Sequence, residues 1–202
     1  MIKELSEELY LYNLLRQAFL REPAKEFLQG LADIDLSSVA DDETCHGMKL
    51  MAYSAKKNKV RVNEWAEELA FEYARLFIGP MNPPAVPYAS FYLSESHSLM
   101  TDITVNVRKA YLDAGMAVRE LHSTPDDHIG IELEFIYYLT QESLKLFETG
   151  SGEEALRLLD MRDKFRMDHM ALWVEPFADR VIGSSGEDFY KGAADLLKMS
   201  TR

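Results

Sequence analysis

The chain has a single cysteine, Cys45, among 202 residues. One thiol excludes an intrachain disulfide framework and any zinc site built from several cysteines. Long apolar runs are also missing, since none approaches the ~20 residues a helix needs to cross a bilayer. Positive charge is scarce. Lys and Arg number 22 against 34 Asp and Glu, a formal net charge of −12. That sign is wrong for nucleic-acid phosphates and for anionic lipid, and suits a cationic partner. No Gly-rich loop is followed by Lys and Ser or Thr, so no Walker-type nucleotide site is expected. Gly183-Ser184-Ser185-Gly186 lacks the lysine and reads as a connection between helices. The Gly-x-Ser-x-Gly turn of a serine hydrolase is missing as well. Met1 to Glu8 read as the start of an acidic amphipathic helix and not as a signal peptide. The expectation is a soluble cytoplasmic protein with no nucleic-acid partner, no stable membrane insertion, no metal and no cofactor.

What the chain does have is helical periodicity, and no run alternates as a strand would. Hydrophobic residues make up 47%, enough for a substantial core in one domain spanning residues 1–202. Helices are expected from about Ile2 to Leu20, then, after a break at Glu22-Pro23, a short one to about Leu31, and another from an Asp41 or Asp42 cap to about Lys57. Val62, Trp65, Leu69, Tyr73, Leu76 and Phe77 then form one stripe. Further helices are expected over Ser96–Ala114, over Pro125–Thr149, from Glu153 onward with Pro176 interrupting the pattern that carries Phe165, His169, Leu172 and Trp173, and over Glu187–Met199. Between them, Ile78 to Leu93 has no helical signal. Gly79 to Pro87 holds four of the seven prolines, which excludes a helix there. Tyr88, Phe91 and Tyr92 need somewhere to pack, so this long loop is expected to be ordered against a helical body.

Thr124-Pro125-Asp126-Asp127-His128-Ile129-Gly130 is the candidate site. Thr124 reads as an N-cap, Pro125 as the first helical residue, and the two acids favour the positive end of the helix dipole. His128 is unexplained by this, and at a helix N-terminus its imidazole is expected to be neutral. Asp127 and His128 could form a catalytic dyad, but no nucleophile accompanies them. They could be structural caps, or part of a recognition site whose apolar wall is the aromatic loop. Metal chemistry has little to build on. Glu43-Thr44-Cys45-His46 is the one Glu-x-x-His unit, where a di-iron bundle needs two. His46, His97 and His122 read as surface residues, and His169, between Phe165 and Trp173, as a hydrogen-bonded core histidine.

Three stretches stand out in order: Tyr73-Ala74-Arg75-Leu76-Phe77-Ile78-Gly79-Pro80, Val86-Pro87-Tyr88-Ala89-Ser90-Phe91-Tyr92-Leu93, and Pro125 to Gly130 followed by Glu132-Leu133-Glu134-Phe135. Together they resemble the TorD/DmsD family of cytoplasmic chaperones for molybdenum-containing oxidoreductases. Trp173-Val174-Glu175-Pro176-Phe177 and Phe189-Tyr190 add to the likeness. The chain departs from many relatives in having Tyr88, Phe91 and Tyr92 where they place tryptophans. The resemblance implies an all-α, single-domain helical bundle with a Pro-rich aromatic loop, and no enzymatic reaction. It implies binding of the twin-arginine leader peptide and catalytic subunit of a molybdopterin oxidoreductase, with cofactor insertion before export. The peptide-binding set it implies is Tyr73, Leu76, Phe77, Pro87, Tyr88, Tyr92, Pro125, Asp127 and His128. A monomer and a domain-swapped dimer both remain open. The alternatives are a metal- or nucleotide-dependent helical enzyme using Asp127 and His128, and a module for a mature enzyme subunit.

Overall fold

A computed structural model describes residues 1–37, 45–80, 82–116 and 124–201. Among these, ten α-helices alternate with short 3-10 turns, and the only β contact is an isolated antiparallel bridge between Tyr88 and His128. The helices are α1 (Ile2–Phe19), α2 (Lys25–Ala32), α3 (His46–Lys57), α4 (Val62–Tyr73), α5 (Ala89–Leu93), α6 (Asp102–Asp113), α7 (Ile129–Glu148), α8 (Gly152–Asp168), α9 (Val174–Ser184) and α10 (Asp188–Ser200). The all-α fold follows the periodicity, and no described helix is long and apolar enough to cross a membrane. The proposed Asp41 or Asp42 cap, Glu43 and His122 lie outside the described residues.

The stretch Ile78 to Leu93, which carries no helical signal in the sequence, ends in the one-turn helix α5, whose buried Ala89 and Ser90 are packed into the unit. Four boundaries also differ from the sequence expectation. The helix expected from Ser96 begins at Asp102, where the Thr101 hydroxyl accepts the Ile103 N–H. Pro176 does not break a helix but sits in the first turn of α9, where a missing N–H costs nothing. α4 does not continue as α-helix to Phe77: residues Ala74–Ile78 form a π-turn, closed by Gly79 N–H donating to Ala74 O at 2.7 Å. The fourth, at the start of α7, bears on the candidate site.

The described chain gathers into two compact units, each built from separated stretches. One contains residues 1–16 and 88–173. In it α7 packs on α8, and Tyr111, Phe135 and Phe165 form an aromatic core, with ring centroids 4.7 Å (Tyr111–Phe135) and 5.0 Å (Phe135–Phe165) apart. Ile129, Leu133, Ile136 and Leu139 of α7 are all buried completely. Each contributes about 2 kcal/mol against roughly 1 kcal/mol for a helix cap, so packing holds this helix more than capping does. Gly150, at a φ of 83°, ends it, as expected from Gly150-Ser151-Gly152. Arg162, almost fully buried, is neutralised by Glu8 of α1 at 2.5 Å and by Asp163 at 2.9 Å.

The other unit contains residues 17–87 and 174–200. Its centre is a run of edge-to-face rings, Phe27 and Trp65 on Phe189, and Phe77 on Tyr190. The Tyr73 and Tyr190 hydroxyls donate to the Phe19 and Leu69 carbonyls, so neither buried phenol is left unbonded. α3 crosses α10 at Gly47 and Gly192, where a Cβ on Gly47 would lie 2.4 Å from the Gly192 carbonyl oxygen. Only glycine permits that approach.

Candidate functional site

The candidate helix starts four residues later than its sequence suggests. Pro125 to His128 make a turn, closed by His128 N–H donating to Pro125 O at 3.2 Å, and α7 begins at Ile129. His128, not Thr124, is the N-cap. Its backbone is extended, and its Nδ1 accepts the Gly130 N–H at 3.0 Å. An imidazole can accept there only through a neutral nitrogen. Burial pushes the His128 pKa down to about 4, against the nearby Asp127 charge, so the neutral ring expected from the sequence is what the site holds.

Freed from the helix, Asp127 serves the aromatic loop. Its Oδ2 accepts the Ser90 N–H at 2.8 Å and its carbonyl accepts the Ala89 N–H at 2.9 Å. These two bonds fasten the first turn of α5, and the Tyr88–His128 bridge with its edge-on ring contact at 5.2 Å continues the seam. No hydrogen bond joins the Asp127 and His128 side chains to each other. They face different partners and do not make an acid–base dyad.

Two further carboxylates lie buried in the same unit. Asp126 pairs with Arg108, whose Nε is 2.7 Å from Oδ2, and its carbonyl accepts the Tyr111 hydroxyl at 2.9 Å. Glu132, fully buried, sits one helical turn beyond His128. It contacts His169 Nε2 at 2.7 Å and accepts the Trp173 indole N–H at 3.2 Å. Burial pushes its pKa up to about 7, opposed by the charge and hydrogen bond of His169. Trp173 in turn stacks on Tyr92 of the loop, centroids 5.6 Å apart. His169 is therefore the bonded core histidine expected, and its partner is now named. Sequence reasoning gave no role to Glu132, Arg108 or Ser90, although Glu132 and Ser90 fall in stretches that carry the family resemblance. An ionisable residue at position 132, amid the buried positions Ile129, Leu133 and Ile136, was the available signal for the first.

The nine sequence-predicted residues divide sharply by exposure. Tyr73, Leu76, Phe77, Pro87, Asp127 and His128 are buried, while Tyr88, Tyr92 and Pro125 are partly exposed. Tyr88, Tyr92, Pro125, Asp127 and His128 belong to the first unit. Tyr73, Leu76, Phe77 and Pro87 belong to the second, the middle two within the π-turn. Among the described residues, no three His, Cys, Asp or Glu side chains converge as metal ligands would. His46 is exposed and pairs with Asp195 at 3.0 Å. His97, also exposed, bonds the Phe91 carbonyl.

Residues 21–179 match the family model described as nitrate reductase delta subunit. The chain is 30% identical over 135 residues to the chaperone protein TorD of Vibrio parahaemolyticus, covering 67% of this chain and 61% of that protein. It is 30% identical over 142 residues to the TorD of Photobacterium profundum, covering 69% and 64%. It is 28% identical over 134 residues to the Tat proofreading chaperone DmsD of Salmonella typhi, covering 66% and 59%. These matches span about three fifths of the relatives' own length. The relatives are named as chaperones and not as catalysts. With a family model matched over most of its length and chaperones of both names among its relatives, the chain belongs to the family of nitrate reductase delta subunits and TorD/DmsD chaperones.

Proposed function

We propose that the protein is a cytoplasmic chaperone that binds the twin-arginine signal peptide of a molybdopterin-containing oxidoreductase subunit, and that it assists cofactor insertion and assembly before export. The observation that carries this is the aromatic loop held in place by Asp127, with Tyr88 and Tyr92 left partly exposed on it. A leader peptide has an apolar stretch that partly exposed rings can cover, and a cationic end that a chain of charge −12 attracts over distance. In this reading Tyr88, Tyr92 and Pro125 touch the peptide. Asp127 and His128 position the loop from beneath.

The test is titration of the protein with a synthetic twin-arginine leader, followed by fluorescence anisotropy. Tyr88→Ala with Tyr92→Ala is expected to weaken binding about tenfold or more, since a central aromatic contact is worth about 2 kcal/mol. Helicity by circular dichroism should stay the same. Rising salt is expected to weaken binding further by screening the cationic end. Unchanged affinity in the double variant would reject the loop as the contact surface. A client retained equally with and without its leader would instead make the protein a module for the mature subunit.

A further inference from the structure

The turn that begins at Pro125 anchors more than the aromatic loop. Pro125 and Thr124 also wall a recess of about 220 Å³, completed by Met100 and by Thr101, Thr104, Val105 and Arg108 at the start of α6. All of these residues belong to the first unit. The volume narrows what can enter. It exceeds the ~150 Å³ of an apolar cavity that takes up benzene, yet falls short of the ~300 Å³ at which sites for free small ligands begin. One large side chain fits, and a nucleotide or a cofactor does not.

Most of the polar groups around the recess are already committed. Arg108 Nε and Nη2 both meet Asp126 Oδ2, at 2.7 and 2.5 Å, so a buried carboxylate balances its charge. The Thr101 hydroxyl accepts the Ile103 N–H, and Thr104 Oγ1 is enclosed where no guest reaches it. What is left to offer is apolar: Met100 and Val105 are 67% and 47% exposed. Met100 also has a φ of 58°, the left-handed region that a residue with a Cβ rarely adopts. The turn before it is ordered, with Ser98 N–H donating to Ser94 Oγ at 3.0 Å, so that conformation is imposed. Backbone held in such a region clusters at ligand clamps, and a thioether adapts its shape to what enters.

We propose that this recess receives one large uncharged apolar side chain, of leucine, methionine or phenylalanine size, from the apolar segment of the leader peptide. The assignment rests on the leader-binding reading and adds selectivity to it. Tyr88 and Tyr92 cover the segment, while the recess selects one side chain within it. The two surfaces are joined through a single turn. Pro125 walls the recess, and Asp127 and His128, two and three residues on, bond Ser90 N–H and bridge to Tyr88.

The probe is a synthetic twin-arginine leader, with each residue of its apolar segment replaced in turn by alanine. It is titrated by fluorescence anisotropy against the native full chain, Val105→Trp and Met100→Gly. In the native chain one replacement is expected to weaken binding at least about tenfold, far more than its neighbours do. Val105→Trp, at a half-exposed position, fills the recess. It is expected to bind the unaltered leader about tenfold more weakly and to be indifferent to that one replacement. This loss should be the same at low and high salt, because the guest carries no charge. Met100→Gly relieves the left-handed backbone, so its thermal midpoint should hold or rise while leader affinity falls. A purely structural role for Met100 would not separate the two readouts. Equal binding by all three chains, with Tyr88→Ala and Tyr92→Ala still weakening it, would overturn the recess alone. Failure of the native chain to bind the leader would overturn the leader reading and this assignment with it. A Val105→Trp loss that vanished at high salt would mean a charged guest and overturn the assignment too.

Discussion

The Asp127 carboxylate is completely buried, has no ion-pair partner, and is bonded through one oxygen to a backbone N–H. Substitution therefore separates its charge from its hydrogen bond. Asp127→Asn keeps an acceptor for Ser90 N–H and removes a buried charge, so stability in urea is expected to hold or rise. Asp127→Ala strands the Ser90 N–H and is expected to cost about 1–3 kcal/mol. If the two variants were equally unstable, the bond to Ser90 would not be what Asp127 supplies. His128 has its own pH signature. Its pKa is about 4 when folded and near 6.5 otherwise, so the unfolded chain takes up its proton first on acidification. The stability it contributes is complete above pH 6.5 and is lost as pH falls toward 4. Glu132, about 7 when folded against an ordinary 4.5, works in the opposite sense. Its contribution is complete below pH 4.5 and is lost as pH rises through 7. His128→Asn retains a cap acceptor but does not titrate. Between pH 7 and pH 5 the variant is expected to gain about 2 kcal/mol relative to the native chain, read from urea midpoints. A pH-independent difference would place the His128 proton elsewhere.

Among the elements, the α3–α10 crossing depends most on one residue type. Gly47→Ala puts a methyl against the Gly192 carbonyl and the Leu196 N–H, both of them backbone. Neither can give way without moving α10, and a loss of about 2 kcal/mol or more is expected in thermal unfolding. Gly30→Ala in α2, where a Cβ meets nothing within 4 Å, is the control and should be neutral or stabilising. Most element positions were legible because apolar spacing reports burial directly, as the stripe Val62 to Phe77 does. The π-turn was not, because Leu76 and Phe77 suit an α-helical stripe as well as a widened turn. The start of α7 was misread for a related reason. Thr124-Pro125-Asp126-Asp127 satisfies every local rule for a helix start, yet Asp127 bonds Ser90, 37 residues away, and local rules do not see such a partner. The same holds for Glu132: its pairing with His169 is a tertiary fact with no trace in spacing. The aromatic loop was legible as ordered because its rings had to pack, but not where they packed.

For the whole molecule, the balance of 22 basic to 34 acidic residues makes self-repulsion a general term in stability. Raising salt from about 10 mM to 150 mM, where the Debye length falls to about 8 Å, is expected to raise the thermal midpoint by a few degrees in scanning calorimetry. A lowered midpoint would mean that its ion pairs, Arg16–Glu134 and Arg162–Glu8 among them, outweigh the repulsion. The interleaving of the two units has a consequence for synthesis. Arg162 is neutralised by Glu8, 154 residues earlier, and Glu134 by Arg16, 118 residues earlier. At about 5–20 residues per second, roughly 8–30 s pass between making Glu8 and making the arginine that it meets. For that interval the first helix has emerged without its buried partner. The earliest part of the chain is among the last to find its place, and vectorial synthesis cannot complete this fold one piece at a time.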